Sequence, residues 1–130
     1  MFRILLVAVA IVAVAGCGRA GDPDSAQVAN ALVRANVGTV NATTIDKDTL
    51  ANIDVGATQG TRYELVSAPT KAEVLLLTYP SESERRARVA GLDDVTSWVS
   101  RHTIRNVGTV SVVIILSDDD ALRGRIANEL

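Results

Sequence analysis

The chain opens with an unbroken apolar run, Ile4 to Ala15, set between Arg3 and Gly16-Cys17-Gly18-Arg19. After Pro23-Asp24 the apolar positions move to helical spacing. Val28, Ala29, Leu32 and Val33 predict a helix from about Asp24 to Asn36, with Gly38 as its stop. Val37 to Ile45, rich in Val and Thr, reads as a strand, and Asp46-Lys47-Asp48 as a turn. Thr49 to Gly60 is weakly patterned, with Leu50, Ile53 and Val55 as its apolar anchors. Thr61 to Ser67 reads as a strand with Tyr63 and Leu65 on one face, and Ala68-Pro69-Thr70-Lys71 turns it. Ala72 to Tyr79 is then almost continuously apolar, the pattern of a strand covered on both faces or at least deeply buried. Two strands joined this closely predict a hairpin.

Pro80 ends that strand, and Ser81-Glu82-Ser83-Glu84 has the Ser-x-x-Glu spacing of a capping box. The helix it opens is expected to reach about Ala90, before Gly91, with Glu84 and Arg88 paired across one turn. Val95 to Arg105 reads as a strand, Asn106-Val107-Gly108 as a turn, and β-branched Thr109 to Leu116 as the clearest strand of all. Ser117 is placed to cap a last helix from Asp118 to about Glu129, whose buried stripe is Leu122, Ile126 and Leu130. The predicted class is α+β: a small antiparallel or mixed sheet with about three helices packed mainly on one face. Residues 24–130 suffice for one such domain and no more.

The first run has a different character. Arg3 and the amino terminus supply a positive n-region, and Ile4 to Ala15 has the length of a signal-peptide core. It falls short of the roughly 20 apolar residues a spanning helix needs. Val14-Ala15-Gly16-Cys17, which ends it, resembles the lipobox of bacterial lipoproteins, where small residues lead into a cysteine. The resemblance implies diacylglycerol on the Cys17 thiol and cleavage between Gly16 and Cys17. Residues 1–16 are then a removed signal peptide, and 17–23 the lipidated cysteine with a short tether. The expected location is the extracytoplasmic side of the cell membrane or the outer membrane. Gly18 is not the Asp that resembles an inner-membrane retention signal, which favours the outer membrane where there are two.

Charge adds little to this picture. The chain carries a formal net charge of −2, one unit more negative once Arg3 leaves with the leader. Both signs are interspersed, and nothing forms the basic stripe that neutralises phosphates, so nucleic acid is not an expected partner. Cys17 is the only cysteine, which removes any intramolecular disulfide, and His102 is the only histidine, which removes a multi-histidine metal site. No metal or other cofactor is expected.

The remaining candidate chemistry is sparse. His102 could act as a general base only with an orienting carboxylate, for which Asp93 and Asp94 are the candidates; otherwise it is a strand-face histidine. No serine stands in Gly-x-Ser-x-Gly. Tyr79 and Trp98 read as core fillers or, with His102, as the lining of a ligand cleft. Asp118-Asp119-Asp120 lacks the alternation and glycine of a calcium loop and fits the positive end of a helix dipole. Arg85-Arg86-Ala87-Arg88 reads as a solvated face, with anionic headgroups as the alternative partner.

From Glu73 onward the order of features resembles small exported bacterial proteins of unknown function. The shared elements are the strand ending in Tyr79-Pro80, an Arg-bearing helix, a Trp strand with a nearby His, a Gly turn, an aliphatic strand and a short terminal helix. Here Val99-Ser100-Arg101 precedes His102, where those proteins often carry prolines. The resemblance implies no activity. The expected function is a lipid-anchored, non-catalytic envelope module, accessory or binding, that recognises a protein, peptidoglycan or small ligand; the alternative is a small hydrolase-like enzyme using His102 with a nearby carboxylate.

Overall fold

The structure, a computed structural model, describes residues 23–96 and 101–130, the side chains of 93–96 excepted. The described elements, in order, are helix α1 (Pro23–Arg34), strand β1 (Val40–Thr44), helix α2 (Lys47–Ile53), strands β2 (Gln59–Leu65) and β3 (Glu73–Thr78), helix α3 (Glu82–Thr96), strands β4 (His102–Val107) and β5 (Ser111–Leu116), and helix α4 (Asp120–Asn128). The class is α+β, as the sequence predicts. The strands form one sheet in the order β1-β2-β3-β5-β4, antiparallel throughout. β2 and β3 make the expected hairpin, with Tyr63 opposite Val74. α3 carries the chain from β3 past β5 to the edge strand β4.

Four described helices cover the sheet on both faces, which corrects the expectation of about three mainly on one. The alternation of β3 and β5 shows this directly. Val74, Leu76, Val113 and Ile115 pack with Val28 and Leu32 of α1 and Leu122 and Ile126 of α4. Leu75, Leu77, Val112 and Ile114 pack on the other side with Leu50 of α2 and Leu92 of α3. Central strands buried on both faces have no polar side to show, and every residue of β5 is buried.

Local chemistry sets the helix limits. α1 ends where Asn36 takes a left-handed conformation at φ 58°, with its N–H donating to Val33 O at 3.0 Å. α2 occupies the segment read as a turn and a weakly patterned stretch. Asp46 caps it, accepting from Thr49 N and Thr49 Oγ1, both at 2.9 Å. Its short length gives only Leu50 as a buried anchor, too little for a visible helical period. α3 starts at the expected cap, where Glu84 N donates to Ser81 Oγ at 3.1 Å. It continues through Gly91 to Thr96, because fully buried Leu92 anchors another turn. Val95 and Thr96 are therefore helical rather than the start of a strand. α4 is capped by Asp119, which accepts from Leu122 N at 3.1 Å, and not by Ser117, whose Oγ instead accepts from Asp119 N at 3.0 Å.

Candidate functional site

α2 and α3 lie side by side on one face of the sheet and leave a groove of about 340 Å³ between them. Ala87 and Gly91 give α3 a low wall there, and a Cβ at Gly91 would meet nothing within 4 Å. Ile53 and Leu92 form apolar lining, and Val55 stands at the rim with 71% of its surface exposed.

The polar end of the groove is built around Asp54, the residue that ends α2. Its side chain is only 7% exposed. Tyr79, just past β3, donates its hydroxyl to Asp54 Oδ2 at 2.8 Å, and Gly56 N donates to Asp54 Oδ1 at 3.0 Å. Arg88 stands 3.8 Å from Asp54 and 3.9 Å from Glu84, ion-pair distances longer than a hydrogen bond. Its guanidinium lies against Gly56, where an added Cβ would come within 2.7 Å of Arg88 Nε. Burial, reinforced by the hydrogen bond to the Asp54 carboxylate, pushes the Tyr79 phenol well above its ordinary value. The tyrosine therefore stays a neutral donor to the nearly enclosed Asp54 side chain. The arrangement suits recognition: an apolar slot ending in a fixed carboxylate and a half-exposed guanidinium.

The residues singled out in the sequence are not brought together. Tyr79 is buried beside the groove, whereas His102 is half-buried at the far end of the sheet. Tyr79 N bonds to Val110 O, just before β5, while His102 pairs with Leu116 at its end. The two are thus separated by nearly the length of β5, about 20 Å at the usual strand rise. Trp98 and the side chains of Asp93 and Asp94 lie outside the described residues, as do Gly16 and Cys17. On the face that His102 shares, the Glu73 carboxylate turns to Arg62 at 3.5 Å.

The charge runs are largely absorbed locally. Arg85 is buried and faces Glu82 at 3.7 Å, which corrects the expectation of three arginines on a solvated face; Arg86 pairs with Glu82 at 3.0 Å. Asp120 binds Arg123 at 2.6 Å and Arg101 at 3.3 Å, and Arg123 holds its carboxyl below the usual range. Asp118 accepts from Arg101 N at 3.3 Å. Among the described residues, no group of three or more His, Cys, Asp or Glu is placed to hold a metal ion.

Sequence reasoning missed Asp54 as a site residue because its partners come from three separate segments. The one local signal, a polar residue closing a short helix, became visible only once α2 was recognised. Compared with known family models, curated proteins and solved structures, the chain matches none.

Proposed function

We propose that the chain is an envelope lipoprotein, held at the membrane by lipid on Cys17, whose domain serves as a non-catalytic binding or accessory module. The observation that carries this reading is Val14-Ala15-Gly16-Cys17 directly after a charged start and an apolar run of signal-peptide length. Small residues before the cysteine let a protease approach the backbone, and its thiol is the one strong nucleophile nearby. Two acyl chains, at about 0.8 kcal/mol per buried methylene, make a firm anchor where a single chain binds only reversibly. The described helices include none long and apolar enough to cross a membrane. The binding role is supported by the groove between α2 and α3, where Asp54, Arg88 and the exposed Val55 combine polar and apolar recognition.

Cell fractionation of the wild type and Cys17→Ala tests the anchor. The wild type is expected with membranes, released by detergent but not by salt or carbonate, and the variant is expected in the soluble exported fraction. Retention of Cys17→Ala at the membrane would overturn the reading.

A further inference from the structure

We propose that one end of the domain, made of the β4–β5 turn, Pro80 and the loop before β2, faces the lipid surface. This rests on the lipid-anchor reading above, and its basis is how the first turn of α1 is fixed. Ser111, fully buried at the start of β5, donates its hydroxyl to Asp24 Oδ2 at 2.5 Å, and its Oγ lies 3.0 Å from Thr78 Oγ1. The next residue, Ser25, is buried with its Oγ 2.8 Å from the Tyr63 hydroxyl, which also donates to Ser25 O at 3.3 Å. Gly108, at φ 61° in the β4–β5 turn, leaves room for the Asp24 carboxylate where any side chain would collide with it. Asp24, next to the point at which the tether joins the fold, is therefore held at the β4–β5 turn end of the sheet, and Ser25 ties the same turn of α1 to β2.

The segment from Cys17 to Pro23 can span at most about 20 Å fully extended. A six-residue strand is itself about 20 Å long. The opposite end, with the β2–β3 turn, accordingly lies about one strand length further from the anchor. The Arg85–Arg88 segment and exposed Val55 belong to the tethered end. Glu82, Glu84 and Asp54 offset those arginines. The tether, rather than attraction to anionic headgroups, sets the approach.

Two single-cysteine additions read the orientation: Thr109→Cys in the β4–β5 turn and Thr70→Cys in the β2–β3 turn, both exposed positions. Each carries a maleimide fluorophore on the lipidated full chain in nanodiscs containing a lipid with a spin-labelled headgroup. Quenching is expected to be several-fold stronger at 109 than at 70, unchanged by salt, and equalised by a long Gly-Ser insertion after Gly21. Equal quenching without the insertion, or stronger quenching at 70, in protein shown by mass spectrometry to be lipidated would overturn the orientation and leave the anchor standing. Loss of the difference at high salt would overturn the tether as its cause. An unmodified Cys17 thiol would overturn the anchor and the orientation together.

Discussion

The two faces of the sheet are covered in different ways. On one, α1 and α4 press Val28, Leu32 and Ile126 onto Tyr63, Val74, Leu76, Val113 and Ile115, and buried hydroxyls tie the first turn of α1 to the strands. On the other, the described cover is a short helix with a single buried anchor, Leu50, beside a longer helix. The groove between that pair ends in a nearly buried carboxylate. The first face is closely packed and fixes the start of α1. The second leaves an open groove between its two helices. The same sheet serves both because β3 and β5 are apolar on each side and tolerate either cover.

Substitutions on each face can break this contrast. The largest effect is expected at Leu32→Ala, which empties a fully buried site on the packed face. It should cost about 2–5 kcal/mol in urea unfolding, with Leu50→Ala lower in that range because the neighbouring groove lets its surroundings relax. An equal or larger loss at Leu50 would mean that the second face is as tightly packed as the first.

Tyr79→Phe removes the donor to Asp54 and should cost about 1.5–3 kcal/mol at neutral pH, the scale of a hydrogen bond to a charged group. The pH dependence provides a second readout. Because the fold raises the phenol, the unfolded chain releases this proton first as pH rises past the ordinary value of 10.0. The stability carried by Tyr79 is whole below that pH and is lost above it. Tyr79→Phe should therefore flatten the alkaline fall in stability; an unchanged slope would contradict the neutral-donor role.

Two glycines on the groove side sharpen the comparison further. A Cβ at Gly60 would meet Leu50 Cδ1 at 2.9 Å and Ile45 Cδ1 at 3.0 Å, so Gly60→Ala should cost about 1–3 kcal/mol by overpacking. Gly91→Ala, in open space on a helix, should instead add about 0.5–1 kcal/mol while narrowing the groove. Thermal unfolding of the two variants should shift in opposite directions.

Much of this fold is written in local pattern. The β2–β3 hairpin, β5 and the Ser81 cap were legible because alternation, β-branching and capping spacing act over a few residues. The double-sided cover was not predicted: short strand connections suggested one-sided packing, although the unbroken apolar run of β3 suits burial on both faces. α2 was hidden because Asp46-Lys47-Asp48 reads as a turn until the Thr49 hydrogen bonds to Asp46 are seen. Val95 and Thr96 favour a strand by their branching, yet they continue α3 past Gly91. The Asp54–Tyr79–Arg88 cluster could not be read at all, since it exists only once α2, the end of β3 and α3 meet. His102 drew notice for its chemical type, which carries no information about its neighbours.

Lipid at Cys17 decides whether this domain works at a membrane, and mass spectrometry of the mature protein from the membrane fraction tests it most directly. The expected result is an amino-terminal peptide beginning at Cys17 with diacylglycerol in thioether linkage to its sulfur. A peptide that retains Gly16, or one carrying Cys17 as a free thiol, would contradict it.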